Sequence, residues 1–397
     1  MPKKSSAPKS CRGCWSITPT ASSVTNPSIS PMTIPKPKLA TIYAVIMAGG
    51  QGRRFWPRSR KLKPKQLLAI GTREPLIKET VSRLMPLVPA ERVLICCGRE
   101  LAPEIRKLLP EVPEENLVLE PVGRDTAPGI GLALEHLRHR QRGRLDQAVA
   151  MVLPADHYIK SSGRFRATLA RAAAAANQTG LILTIGIVPD YPSPAYGYIR
   201  PGEPLPGARG ALRVKSFVEK PDPATARKYL KQGYLWNAGM FVFRLDVMKD
   251  AFARHLPETA AGLDEIGRSL GKPAAGRTLA RVFPRLGKVS VDYGIMEKAE
   301  NVGVVAADFG WHDVGGWDAL YRLLGGEGIK NISRGPVHII DSSGCYVEGE
   351  KLIALVGVED LVVVESPDAI LVLKRDREMD LKKLTDLLHA KGKREVL

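Results

Sequence analysis

Seven cationic side chains, Arg53, Arg54, Arg58, Arg60, Lys61, Lys63 and Lys65, crowd into the stretch "MAGGQGRRFWPRSRKLKPKQLL", directly after or among Gly49, Gly50 and Gly52. Glycines let backbone N–H groups approach an anion closely, and concentrated positive charge neutralises it, so the chemistry this loop suits is polyphosphate binding. Two familiar phosphate loops do not fit. A dinucleotide fingerprint starting at Gly50 needs a small residue where Phe55 stands, and a Walker loop needs a Gly-Lys-Ser/Thr run that this stretch lacks. For "GGQG" alone, a glycine turn with a solvated basic face would suffice. That reading accounts poorly for Trp56-Pro57 and Pro64-Lys65-Gln66, where proline restricts the backbone and helps hold a lysine in one place.

The loop follows "IYAVIMA", and from Ile42 such apolar, β-branched runs alternate with helical patterns: "PLIKETVSRLMPL", "RVLICC", "ELAPEIRKLL", "NLVLEP", "APGIGLALEHLRHR", "QAVAMVLPA". The alternation predicts an α/β fold with a mostly parallel sheet covered on both faces. Ligands in such folds sit beyond the carboxyl ends of strands. The Gly/Arg loop after "AVIMA" and "PADHYI" after "AVAMVL" both fall there, so one cleft can receive both. After about Tyr191 the texture changes to hairpin-like strands, "YGYIRPG" and "ALRVKSFVEKP", then a helix "PDPATARKYLKQG" that starts with proline and ends at glycine. From roughly Ile329 short strands alternate with turns and close on a charged helix, "REMDLKKLTDLLHAKG". This second, β-rich domain shows no catalytic cluster, a texture more usual for assembly than for chemistry. The expected organisation is an N-terminal extension (1–40), a catalytic domain (41–328) and a C-terminal domain (329–397).

At 397 residues and 44% hydrophobic, the chain can bury a large core. A third of its net charge of +18 sits in the first forty residues, on Lys3, Lys4, Lys9, Arg12, Lys36 and Lys38. The remaining basic charge suits anionic small molecules; no aromatic-interleaved RNA motif, helix-turn-helix signal or finger spacing points to nucleic acid. The extension is rich in Ser, Pro, Thr and Lys without apolar periodicity, which reads as disorder, and its Cys11 and Cys14 find no second Cys/His pair at zinc spacing. Few cysteines and no membrane-length apolar run lead us to expect a cytoplasmic protein.

Six segments in this order, the loop, "PADHYI", "FVEKP", "WNAGMFVF", "VDYGIMEKA" and "WHDVGGW", closely resemble the mannose-1-phosphate guanylyltransferases, from Ile42 to the C-terminus. The resemblance implies a Rossmann-like nucleotidyltransferase domain followed by a left-handed β-helix-like domain. It implies a reaction in which mannose 1-phosphate attacks the α-phosphorus of GTP, giving GDP-mannose and pyrophosphate, with Mg²⁺ or Mn²⁺ bridging phosphate oxygens. Arg54 and Lys65 then hold the β- and γ-phosphates, the backbone at Gly49, Gly50 and Gly52 approaches the nucleotide, and Asp156 and Asp313 hold the metal. "EPVGRDTAPGIGLA" brings Glu120, Gly123, Arg124, Asp125 and Thr126 to the guanine and ribose, although Arg124 equally suits a structural ion pair. Asp125 replaces the family's usual Asn, exchanging a donor-acceptor amide for an acceptor-only carboxylate. Tyr196, Gly197, Glu219, Lys220, Asn237, Asp292 and Lys298 are implied at the sugar phosphate; Asp292 and Lys298 equally suit a helix cap and its surface. "SPAYGYI" and Ala238 depart from the family's usual residues there. His157 reads as a structural hydrogen-bonding residue, since an attacking phosphate needs no side-chain base near neutral pH. A homodimer formed through the C-terminal domain is the expected assembly. Rival readings are a nucleotidyltransferase for another sugar 1-phosphate, a non-catalytic sugar-nucleotide-binding homologue, and a basic nucleic-acid binder whose support largely vanishes with the first forty residues.

Overall fold

Unbroken runs of Val, Ile, Leu and Ala tolerate burial on both faces, which suits strands lying between two layers of helices. The computed structural model describes residues 40–50, 52–325 and 328–397; the N-terminal extension, with Cys11 and Cys14, lies outside the described residues. Eleven strands among the described residues precede Asp313: β1 (Thr41–Met47), β2 (Val93–Gly98), β3 (Leu117–Glu120), β4 (Ala148–Pro154), the short β5 (Tyr158–Ile159), β6 (Ile182–Ile187), β7 (Tyr198–Pro204), β8 (Ala211–Val218), β9 (Leu235–Arg244), β10 (Val302–Ala307) and the short β11 (Trp311–His312). Nine form one sheet in the order β3-β2-β1-β4-β9-β6-β10-β8-β7, and β5 pairs with β11 apart from it. Within the nine, β8 and β9 run against the rest, giving the mostly parallel mixed sheet that the alternation predicts.

Side chains alternate across a strand, and β1 uses both faces. Ala44 and Ile46 enter one core with the helices Leu76–Leu84 and Ser162–Thr179, while Tyr43 and Val45 enter another with the helices Thr126–Arg140 and Leu245–His255. Met47 at the end of β1 lies opposite Pro154 at the end of β4, so the loops that follow these strands leave the sheet side by side. Because β9 runs antiparallel, pairing Phe241 with Val152, its first residues return to that same end of the sheet. Asn237 is thereby carried to the mouth of the cleft.

The C-terminal part consists of short rungs: β12 (Ile332–Arg334), β13 (Val337–Ile340), β14 (Tyr346–Glu348), β15 (Ile353–Val356), β16 (Leu361–Ser366) and β17 (Ala369–Lys374). β12, β14 and β16 stack in parallel, with Ile332 opposite Tyr346 and Tyr346 opposite Val362; β13 and β15 form a second parallel pair, and β17 closes the stack antiparallel. Parallel rungs of this kind build the expected β-helix-like domain around a small core of Cys345, Val347, Leu355 and Val363. A separate cluster ties it to the cationic loop: Phe55 and Trp56 pack with Trp317, Tyr346, Val362 and Leu381. The Trp317 indole donates to the Trp56 carbonyl at 3.1 Å, and the Trp56 indole donates to the Val396 carbonyl at 2.7 Å. Trp56, preceding a cis Pro57, therefore anchors the back of the loop.

Candidate active site

A cleft of about 450 Å³ opens beyond the carboxyl ends of β1, β3 and β4, within the range of roughly 300–1,000 Å³ usual for small-molecule sites. Gly49, Gly50, Glu120 and Asp156 line one part of it, and Glu219, Asn237 and Asp292 another.

Lys65 lies beneath the floor, at the start of a 3-10 turn that Pro64 precedes, and is 6% exposed. Its ammonium donates to Asp156 Oδ2 at 2.8 Å and to the Asp313 carbonyl at 2.5 Å. Gly52 makes room for this lysine: it sits at φ +61°, and a Cβ there would stand 2.6 Å from Lys65 Cβ. Burial pushes the Asp156 carboxyl up, but the Lys65 ammonium and hydrogen bonds more than offset it and leave the pKa lowered. The Asp313 carboxylate accepts from the Tyr196 hydroxyl at 2.7 Å, and Tyr191 lies 3.4 Å behind it, hydroxyl to hydroxyl. Burial and the Asp313 charge push the Tyr196 hydroxyl far up, so it remains a donor. Tyr196 lines the cleft, as expected, but its polar end serves Asp313, a role the sequence did not suggest. Arg54 comes to the same turn, where its guanidinium and Asp313 Oδ2 both flank Gly315. His157 accepts the Trp311 indole N–H at 3.1 Å, and burial, against the pull of Asp156, lowers its pKa to about 4. It is a neutral hydrogen-bonding residue at neutral pH.

At the end of β3, Glu120 is 8% exposed, with no hydrogen bond to its side chain among the described residues. Burial raises its pKa to about 7. Asp125 adopts φ +67° and accepts the Thr126 N–H at 2.8 Å, capping the helix Thr126–Arg140. With ψ at −175° this backbone lies outside the left-handed helical region, in a part of the map that only glycine adopts without strain, and the carboxylate's bond to the Thr126 N–H helps to hold it. Thr126 Oγ1 accepts the Val291 N–H at 2.9 Å, joining this segment to the one that carries Asp292. Gly123 also lines the cleft. Arg124 does not, and it makes no ion pair among the described residues; its Nε is buried without a partner.

On the other side, Asn237 Nδ2 donates to Asp292 Oδ1 at 2.8 Å and to Glu219 Oε1 at 3.3 Å, while its Oδ1 accepts from Thr184 and the Gly239 N–H. Lys220 Nζ stands 3.0 Å from Glu219 Oε2. Burial and the neighbouring Glu219 charge raise the Asp292 pKa to about 6. Asp292 makes no helix-capping bond, so the cap reading gives way to its place in the cleft. Gly197 lines the cleft beside these groups. Lys298 is exposed outside the lining, near His255; the chain turns through Asp292–Met296 and carries it away.

A sheet of this order with a polar cleft at its strand ends defines a class, and the nucleotidyl transferase family model matches residues 43–325. The MannoseP isomerase/GMP-like beta-helix domain model matches residues 335–388. The chain is 37% identical over 355 residues to mannose-1-phosphate guanylyltransferase of Escherichia coli, covering 87% of this chain and 74% of that protein. It is 36% identical over 359 residues to the alginate biosynthesis protein AlgA of Pseudomonas aeruginosa, covering 89% and 73%. A crystal structure from Thermus thermophilus, described as a mannose-1-phosphate geranyltransferase, superposes with a TM-score of 0.79 at 36% identity, over 88% of this chain and 99% of that one. The chain belongs to the mannose-1-phosphate guanylyltransferase family of nucleotidyltransferases. No helix among the described residues is long and apolar enough to cross a membrane.

Proposed function

We propose that the chain transfers GMP from GTP to α-D-mannose 1-phosphate, forming GDP-mannose and pyrophosphate. The observation that carries this reading is Lys65, whose ammonium, beneath the cleft floor, joins the Asp156 carboxylate to the Asp313 carbonyl. A phosphate oxygen of the sugar phosphate attacks the α-phosphorus of GTP in line, and the bond to the β-phosphate oxygen breaks. Such transfer depends on positioning and charge neutralisation more than on covalent help from the protein. Lys65 and Arg54 supply positive charge to the departing pyrophosphate. Glu219 and Asp292 accept from sugar hydroxyls, Asn237 holds these two carboxylates in place, and Lys220 meets the sugar phosphate. Asp156 and Asp313 offer hard carboxylate oxygens on the cleft wall, a donor set that fits Mg²⁺ or Mn²⁺. When bound, the ion neutralises charge on phosphate oxygens.

Glu120 would read guanine. Its two oxygens can accept from N1–H and N2–H of guanine, whereas adenine presents an acceptor at N1. Sugar-dependent pyrophosphate release should therefore be far faster with GTP than with ATP, and Glu120→Gln should narrow that preference by roughly tenfold to a hundredfold. Only the ionised carboxylate accepts both bonds. With a pKa of about 7 in the free protein, KM for GTP should be level above pH 7 and rise as pH falls below it, approaching tenfold per pH unit. Initial rates with GTP and ATP between pH 5.5 and 8.5 check both. Release that ignores mannose 1-phosphate would sink the functional reading; an unaltered nucleotide preference in Glu120→Gln would sink the guanine assignment alone.

The C-terminal domain would form a homodimer contact. Ile340 and Val356 on the β13–β15 pair, and Ile370 and Val372 on the edge strand β17, are each at least 60% exposed, an apolar display that monomers usually avoid on an open edge. Light scattering should give twice the monomer mass, and Val356→Asp with Val372→Asp should halve it. A monomeric parent protein would refute the assignment.

A further inference from the structure

The turn after Asp313 contains two consecutive glycines, and each faces a charged group. A Cβ at Gly315 would meet Asp313 Oδ2 at 3.0 Å and the two Arg54 Nη atoms at 3.2 and 3.3 Å. A Cβ at Gly316 would overlap the carboxylate of Glu378, which therefore rests directly on the glycine backbone. Glu378 belongs to the 3-10 segment Arg375–Asp380 that follows β17, so the C-terminal domain delivers it. Its Oε2 accepts the Asp318 N–H at 3.0 Å. The segment is fastened to the same turn at its other end: Arg375 stacks on the Tyr321 ring at 4.0 Å and stands 3.6 Å from Asp318. Burial pushes the Glu378 carboxyl up, while the Asp318 amide and the Arg54 guanidinium act to keep it ionised.

These contacts exceed what fastening the domain requires. An apolar residue at 378 would fill the space against Gly316 without the cost of a half-buried charge. A carboxylate there is compensated by the Asp318 amide and by the field of Arg54. Arg54 and two carboxylates thus share the double-glycine turn, Asp313 beside Arg54 at Gly315 and Glu378 at Gly316, with no ion pair of 4 Å or less between Arg54 and either. Without Glu378, the guanidinium would be drawn to Asp313 alone.

We propose that Glu378 is a positioning residue: from the C-terminal domain it holds the Arg54 guanidinium at the Asp313–Gly316 turn, in place to receive the triphosphate. The inference rests on Arg54 meeting the β- and γ-phosphates, as in the functional reading above. It makes the C-terminal domain part of the catalytic machinery's support as well as a surface for assembly.

The test is a double-mutant cycle between Glu378→Gln and Arg54→Ala, read by calorimetric affinity for GTP and for GMP and by sugar-dependent turnover. The glutamine keeps an oxygen for the Asp318 N–H and removes the charge, so melting temperature should barely change. Glu378→Gln should lower the GTP-over-GMP preference and kcat each by about tenfold, with KM for mannose 1-phosphate unchanged, and should do nothing further once Arg54 is alanine. Glu378→Asp, which keeps the charge, should recover most of both. Effects that multiply in the double variant, or an aspartate no better than the glutamine, would show that Glu378 only braces the fold and would overturn the proposal. The affinity arm decides independently of turnover: a parent protein that binds GTP but forms no GDP-mannose would refute the functional reading while still showing whether Glu378 acts through Arg54. A parent protein that does not distinguish GTP from GMP would overturn both.

Discussion

Lys65→Ala is expected to cut kcat by roughly 10²–10³-fold, the usual loss when a preorganised donor to developing charge is removed. The ammonium has three donors; two are spent on Asp156 Oδ2 and the Asp313 carbonyl. The third has no partner among the described residues and can turn to a phosphate oxygen. In the proposed transfer negative charge would grow on the leaving pyrophosphate and strengthen that contact towards the transition state, so kcat should fall more than KM for GTP rises. Lys65→Arg should be a poor rescue, since a planar fork cannot replace a compact ammonium in a position 6% exposed and tightly packed by Gly52. The burial adds a cost that the loop's sequence does not reveal. Alanine leaves the Asp313 carbonyl without its donor and Asp156 without its cation, so unfolding in urea should show a loss of about 1–3 kcal/mol. Steady-state kinetics on protein shown to be folded by circular dichroism checks both. Near-normal kcat in folded Lys65→Ala would remove the lysine from the reaction.

The placement of that lysine shows which parts of the site the chain discloses locally. The Gly/Arg loop and "PADHYI" each follow an unbroken apolar strand, and the doubly covered parallel sheet that such strands require sets Met47 against Pro154. The shared cleft therefore follows from local patterns. The position of β9 between β4 and β6 does not, because "WNAGMFVF" carries no information on strand direction; only the antiparallel pairing brings Asn237 back to the strand ends. Lys298 was implied by a motif alone, and the turn Asp292–Met296 separates it from Asp292, which does enter the cleft. Arg124 had two readings, nucleotide contact and ion pair, and it neither lines the cleft nor finds an acidic partner among the described residues. Glu378 had no legible signal. It sits in a run of mixed charge that reads as a solvated face, and only the packing of Phe55 and Trp56 on Trp317 and Leu381 brings that run to the turn after Asp313.

Removal of divalent cations with EDTA is expected to abolish turnover, with Mg²⁺ or Mn²⁺ restoring it, and Asp156→Asn and Asp313→Asn should each lose roughly 10²-fold or more. The two carboxylates come from neighbouring stretches, Asp156 just before β5 and Asp313 just after its antiparallel partner β11, and Lys65 bonds the carboxylate of the first and the backbone carbonyl of the second. Their surroundings separate the two variants. Asp156 takes its charge compensation from Lys65, so asparagine there also leaves the ammonium bonded to the Asp313 carbonyl and free to turn towards phosphate. Asp313 is oriented by the Tyr196 hydroxyl at 2.7 Å, a neutral donor, and makes no ion pair with a lysine or arginine among the described residues, the Arg54 guanidinium standing across Gly315. Asp313→Asn should therefore raise the Mg²⁺ concentration needed for half-maximal rate more than Asp156→Asn does. Rates measured across a Mg²⁺ titration, with calorimetric GTP affinity in EDTA as the control for folding and nucleotide binding, separate metal loss from site collapse. If either variant kept near-normal turnover at limiting Mg²⁺ while binding GTP normally, its carboxylate would not hold the ion, and the charge neutralisation would fall to Lys65 and Arg54.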